Sequence, residues 1–156
     1  MDFARHADRA IYVLIAVLAV TVALEGVETR PGKALAYVLG AAIALTLAEV
    51  FADRVGISIR SRRPASAEER RHEVREAVTG LVVAAVPISF FVLAVVDAVT
   101  LRAAYVLSQW CGFGILAVYS FVASRATGNS IAGSLVGAAA LTAIGGALIL
   151  LNAATK

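Results

Sequence analysis

The chain has 156 residues, of which 60% are hydrophobic and only 16% charged, whereas soluble domains contain about 45–50% apolar and about 25% charged residues. This composition excludes a soluble enzyme with a cleft. The small net charge of +3 excludes a basic nucleic-acid groove, and the single cysteine excludes an intramolecular disulfide or a multi-cysteine metal site. The sequence therefore predicts a small all-α, polytopic membrane protein.

The apolar residues are gathered in five blocks, and we interpret each block as a transmembrane helix. The blocks cover residues 10–24, 34–52, 77–96, 103–123 and 131–151. None of them alternates with period two, which argues against membrane strands. The first block is short, and its length also fits the hydrophobic region of a signal peptide, with Arg5 and Arg9 before it. The prediction is a single membrane domain, residues 1–156, with five transmembrane helices.

A long linker, residues 53–76, separates the second and third blocks and holds seven of the fourteen basic residues. Within it, Ser66-Ala67-Glu68-Glu69 is a capping-box signature. This signature predicts a short helix that runs directly into the third block. With the linker in the cytoplasm, ten Lys and Arg residues lie on the cytoplasmic side and four outside. The positive-inside rule therefore predicts a cytoplasmic N-terminus and an external C-terminus.

Glu49 is the most informative ionisable residue, because it lies inside an apolar block where an unpaired charge is costly. Asp53 follows one helical turn later on the same face. Two such carboxylates can bind a divalent cation or pass protons. The alternative is structural: Glu49 pairs with Arg54 or another arginine at that interface. For Asp53, which borders Arg54, the structural alternative is favoured.

Glu68 and His72 are four residues apart on the predicted linker helix, a spacing that could place both on one metal ion. The favoured alternative is an amphipathic helix with internal ion pairs at the anionic membrane surface, because arginines are interleaved with these residues. Gln109, inside the fourth block, is predicted to hydrogen-bond across helices. Glu25 and Glu28, in the first loop, are predicted to be solvated, pairing with Arg30 or Lys33.

Small residues in the fifth block predict close helix packing. Gly133 and Gly137 form a GxxxG pair, and Gly146 continues the same ridge. Such ridges let helix backbones approach closely in lipid. We expect this surface to join two copies of the chain in a homo-oligomer, most simply a dimer. The alternative, that the ridge packs within one subunit, is equally compatible with the pattern.

Residues 44–54 read Ala-Leu-Thr-Leu-Ala-Glu-Val-Phe-Ala-Asp-Arg. Together with five blocks and a cytoplasmic insertion after the second, this segment resembles the vacuolar iron transporter family, whose second helix carries a pattern like S-M-A-A-G-E-Y-x-S-x-R. The resemblance implies that Glu49 is the family's helix-2 glutamate and Arg54 its following arginine. Asp8 would match the aspartate of an Asn-Asp-Gly turn at the head of helix 1. Leu45 replaces the family's methionine, so we expect weak iron selectivity.

The function implied by this resemblance is that of a divalent-cation/proton transporter, with a cation path lined by Glu49, Asp53 and Asp8. The alternative is a non-transporting membrane scaffold or an accessory subunit of a larger membrane complex. We do not expect an enzyme, since both histidines lie outside the blocks and form no nucleophile–base pair. The expected partners are the lipid bilayer, a divalent cation and a second copy of the chain, with no cofactor and no nucleic acid.

Overall fold

The computed structural model describes residues 2–61, 66–126 and 133. Within this part of the chain the regular elements are four α-helices: α1 (Asp2–Leu24), α2 (Pro31–Ser61), α3 (Ala67–Val95) and α4 (Leu101–Ala126). The all-α prediction is confirmed for these residues. The predicted count of five transmembrane helices is not supported by them, because the fifth block, residues 131–151, lies outside the described ranges except for Gly133.

Three of these helices contain a segment long and apolar enough to cross a membrane: Pro31–Ile57, Arg70–Val95 and Leu101–Val122. The apolar part of α1, Ala10–Leu24, is shorter than such a segment. Large apolar side chains are exposed on the outward faces of all four helices, for example Tyr12, Phe51, Val82 and Trp110. These faces are compatible with contact to lipid, and they would be a liability in water.

The helices form an antiparallel bundle in which α1 and α3 contact each other and each also contacts α2 and α4. At one end, the Tyr105 hydroxyl of α4 lies 3.3 Å from the carbonyl oxygen of Glu28, in the loop after α1. We call this the short-loop end. At the other end, Arg54 of α2 contacts Glu73 of α3. We call this the linker end.

The middle of the bundle is an apolar core to which all four helices contribute. Its fully buried members include Val17 of α1, Val38 of α2 and Phe91 of α3. The Phe91 ring meets the Tyr105 ring edge to face, with centroids 5.2 Å apart. A second apolar cluster, formed by Leu14, Leu18 and Leu116, joins α1 to α4. Close packing of these side chains helps to hold the four helices together, because van der Waals contact is a main attraction between helices in lipid.

The starts of α2 and α3 follow from local sequence. Pro31 occupies the first position of α2, where its missing N–H costs no helical hydrogen bond. The N–H of Arg30 donates to a Glu28 carboxylate oxygen at 2.9 Å. Helix α3 begins directly after Ser66, as the capping signature predicted, and runs without a break into the third apolar block. The linker helix is therefore the first part of α3.

The end of α3 places Asp97 in the left-handed region, with φ 58°. The N–H of Ala98 donates to the Leu93 carbonyl at 2.9 Å and that of Asp97 to the Ala94 carbonyl at 3.3 Å. This is a Schellman motif, in which glycine is the preferred residue at the left-handed position because a Cβ is strained there.

We expect Asp97→Gly to stabilise the protein by about 0.5 kcal/mol, because glycine removes this strain. Thermal unfolding in detergent would measure the change, with Asp97→Ala as a control that keeps the strain. A lower midpoint for Asp97→Gly than for Asp97→Ala would contradict this account.

Candidate functional site

The inward faces of α2 and α3 change from apolar to acidic toward the linker end. On α3 the buried positions recur every three or four residues, at Glu73, Glu76, Gly80, Ala84, Pro87, Phe91 and Ala94. On α2 the buried positions Ala34, Val38, Ala42 and Thr46 are followed, at the same spacing, by the half-buried Glu49 and Asp53. We call Glu49, Asp53, Glu73 and Glu76 the carboxylate row. Its four members lie on inward faces of two helices that contact each other.

Glu73 and Glu76 are the most buried acids in the described residues, with 4% and 6% of their surface exposed. A Glu73 carboxylate oxygen lies 3.3 Å from Nε of Arg54, which joins α3 to α2. A Glu76 carboxylate oxygen lies 3.1 Å from Nε2 of His72, one turn earlier on α3. Since Arg54 and His72 are both about half exposed, each buried acid is linked to a basic group that reaches solvent.

The residues that the sequence predicted for a cation path are placed as follows. Glu49 and Asp53 are half-buried on the inward face of α2, and each has an interaction partner. Asp8 belongs to α1, but its side chain lies outside the described part of the structure. Arg54, one of the arginines offered as a partner for Glu49, contacts Glu73. The role of the three acids in a cation path stays a prediction.

The predicted metal pair, Glu68 and His72, is arranged differently from the expected geometry. His72 contacts Glu76, on the C-terminal side, while Glu68 is exposed. Among the side chains that the structure describes, no group of three or more His, Cys, Asp or Glu residues is arranged to hold a metal ion. Ligation of a metal by Glu68 and His72 therefore rests on their spacing alone.

The spacing of Glu69, Glu73 and Glu76 places them in one stripe of the linker helix, but the sequence did not indicate that Glu73 and Glu76 are buried, because arginines are interleaved with them before the third apolar block. A signal was nevertheless present. When the apolar stripe of α3 is extended backward from Phe91 by steps of three and four, it reaches Glu76 and then Glu73. Helical periodicity continued past the end of the apolar block would have predicted the burial of both acids.

A second polar group lies at the short-loop end, between α1 and α4. The side-chain amide of Gln109 donates to a Glu25 carboxylate oxygen at 2.8 Å, which confirms the predicted hydrogen bond across helices. Glu25 was predicted to be solvated, and this is wrong: it is half-buried and binds Gln109. Close by, the hydroxyl of Ser108 is fully buried and has no hydrogen-bond partner among the described residues. We interpret this group as cross-helix packing that fixes the short-loop end.

The glycines predicted to pack helices lie mostly beyond the described residues. Gly137 and Gly146 are outside them, and Gly133 is exposed. The structure instead identifies Gly112 of α4 as a close-contact position. A Cβ placed there would lie 2.6 Å from Cδ2 of Leu18 in α1, so any larger residue at position 112 requires the Leu18 side chain to move. A Cβ at Gly114 would meet nothing within 4 Å.

No protein-family model, curated protein or solved structure matches this chain. Its class therefore rests on three features of the described residues: an all-helical antiparallel bundle, apolar outward faces, and three helices long and apolar enough to cross a membrane. These features define an α-helical membrane protein.

Proposed function

We propose that this membrane protein moves a cation, coupled to protons, and that the carboxylate row is the part of the path nearest the linker. The observation that carries the proposal is the burial of Glu73 and Glu76 on the inward face of α3, on the same side of the bundle as Glu49 and Asp53 of α2. In the orientation favoured by the ten-to-four distribution of basic residues, the linker end faces the cytoplasm.

Burying carboxylates at a helix interface costs free energy. Removing two charged groups from water costs several kcal/mol each, and apolar residues of similar size often stabilise a protein at least as well. Inside a membrane segment, such groups commonly mark ion pathways and proton relays. Glu73 and Glu76 lie in the first turns of the membrane-compatible segment Arg70–Val95, and no charged residue follows Glu76 in that segment. Their burial therefore supports a role in handling positive charge.

The spacing within the row suits transfer between neighbours. Side chains three or four residues apart on a helix are adjacent, with Cβ atoms about 5–6 Å apart. A proton or cation could therefore pass along α3 from Glu73 to Glu76, and along α2 from Asp53 to Glu49. His72, whose side chain is about half exposed, contacts Glu76. The resemblance of residues 44–54 to the vacuolar iron transporter pattern supports including Glu49 in the path. On α2, Glu49 is the member of the carboxylate row that lies farther from the linker.

The proposed cargo is a divalent cation, which oxygen ligands bind well. Because the described side chains offer no ready group of three metal ligands, binding would require the carboxylates to move together or Asp8 to join them. We further propose that the fifth block forms a helix that completes the membrane domain, and that two copies associate through Gly133, Gly137 and Gly146.

Flux measurements in reconstituted vesicles would test the transport proposal. Under an imposed pH gradient, we expect uptake of at least one of Fe²⁺, Mn²⁺ and Zn²⁺, accompanied by proton movement. Glu76→Gln and Glu49→Gln should each reduce the flux at least about tenfold, as expected for loss of a charge on the path. Asp97→Asn is the matched control, because it neutralises an exposed carboxylate at the opposite end. Absence of flux for every ion would contradict the proposal, as would equal flux for the wild type and both glutamine variants.

The apolar middle of the bundle favours a second candidate, a non-transporting scaffold or accessory subunit. Val17, Val38, Ala84 and Phe91 are fully buried between the polar groups of the two ends. This core forms an apolar layer, to which all four described helices contribute, between the two polar ends. A transporter would need a second conformation that opens it, whereas a scaffold would not. The flux assay separates the two candidates, because only the transporter responds to Glu49→Gln.

A further inference from the structure

The outward face of α3 differs in chemistry from its acidic inward face. Arg70 and Arg71 are exposed in its first two turns. They are followed toward the middle of the helix by exposed valines spaced four residues apart, Val74, Val78, Val82 and Val86, which we call the valine row. Between 46% and 62% of each valine is exposed. The acids of α3 that pair within the bundle, Glu73 and Glu76, point to the opposite side.

The two arginines, together with Ala67 and Val74, line a shallow, open groove on one face of α3. The groove lies where the apolar segment of α3 begins, since the membrane-compatible stretch starts at Arg70. In a bilayer, this is the depth of the lipid headgroups. Among the described side chains that line the groove, the charged ones are the two arginines, and Glu68 is exposed nearby without lining it.

We propose that this groove binds the phosphate of an anionic phospholipid, with one acyl chain lying along the valine row. Guanidinium groups match phosphate oxygens in charge and in hydrogen-bond geometry, and often bind them in a bidentate manner. The valine row continues the groove into the hydrocarbon layer, where an acyl chain has apolar side chains to contact. This continuity distinguishes a lipid from a soluble phosphate, which would use the arginines alone. The site is independent of any transport by the carboxylate row.

Native mass spectrometry of the full-length protein in detergent would test the site, with dioleoyl phosphatidylglycerol and dioleoyl phosphatidylcholine as probes. We expect retained phosphatidylglycerol and little retained phosphatidylcholine. Arg70→Gln combined with Arg71→Gln should weaken phosphatidylglycerol binding about 30-fold, from the usual contribution of each basic residue near an anionic surface. Arg102→Gln, which removes an exposed arginine at the short-loop end, is the control and should leave binding unchanged.

Three outcomes would overturn the proposal. The first is unchanged phosphatidylglycerol binding in the double variant, and the second is an equal loss in Arg102→Gln. The third is displacement of the lipid by excess inorganic phosphate, which would identify a site for a soluble anion. A thermal shift on titrating the same lipid gives a second measurement, because a ligand that binds only the folded state raises the unfolding midpoint. This shift should be lost in the double variant and kept in Arg102→Gln.

Discussion

Replacing Gly112 by leucine is expected to destabilise the bundle by about 1–3 kcal/mol, the usual cost of overpacking a close contact. Even a Cβ at this position would lie 2.6 Å from Cδ2 and 3.0 Å from Cγ of Leu18. A rotation of Leu18 could relieve the first contact, but the larger leucine side chain would still separate α1 from α4. The second apolar cluster, which contains Leu14, Leu18 and Leu116, would lose its packing as a result.

Gly114→Leu is the matched control for this experiment. It lies two residues away on the same helix, it is exposed, and a Cβ there meets nothing within 4 Å. Both substitutions gain the same intrinsic helix propensity, so the difference between them isolates the contact with Leu18. Thermal unfolding in detergent would measure that difference. Equal midpoints for the two variants would show that α1 and α4 do not approach closely at Gly112.

Arg54→Gln is expected to destabilise the protein by about 1–2 kcal/mol, because the buried Glu73 carboxylate would lose a cationic partner. The expected cost is below that of breaking a fully buried pair, since 48% of the Arg54 side chain is exposed and solvent screens its charge. Glu73→Gln in the same chain should recover most of the loss, because a neutral amide does not need the cation. The single change Glu73→Gln should cost less than Arg54→Gln.

A double-mutant cycle on Arg54 and Glu73 would measure this coupling, again from unfolding in detergent. Arg75→Gln is a suitable control, because Arg75 is exposed on the same segment of α3. A strictly additive cycle, or an equal loss in Arg75→Gln, would mean that the 3.3 Å contact between Arg54 and Glu73 contributes nothing to the joining of α2 and α3.

Hydropathy was sufficient to predict helices and to locate the apolar parts of α2, α3 and α4. It could not predict where these helices end. Helix α2 was expected over 34–52 but extends from Pro31 to Ser61, because a helix can continue into water without remaining apolar. For the same reason, hydropathy could not predict the burial of Glu73 and Glu76. Their burial depends on the face of α3 that they occupy and not on the polarity of the surrounding segment.

Contacts between distant helices were harder to predict than the helices themselves. The cross-helix hydrogen bond of Gln109 was predicted correctly, because a lone amide in an apolar block needs a partner. Glu25 was not predicted as that partner, because its position in the sequence suggested a solvated loop residue. Nothing in the residues around Gly112 indicates that Leu18 of α1 lies against it. That contact forms only when the whole bundle is assembled, so it cannot be predicted from the local sequence of either helix.

The short apolar segment of α1 has a consequence for the surrounding bilayer. Residues Ala10–Leu24 span about 22 Å as a helix, against a hydrocarbon thickness of about 30 Å. Were α1 to cross the bilayer, its outward face, which carries Tyr12 and Ile15, would have a hydrophobic mismatch that α2, α3 and α4 do not share. A mismatch of this sign is relieved by local thinning of the bilayer, by snorkelling of flanking side chains or by sorting into thinner membranes. Lipid beside α1 would be compressed relative to lipid on the other sides of the bundle, so the protein would deform its membrane asymmetrically.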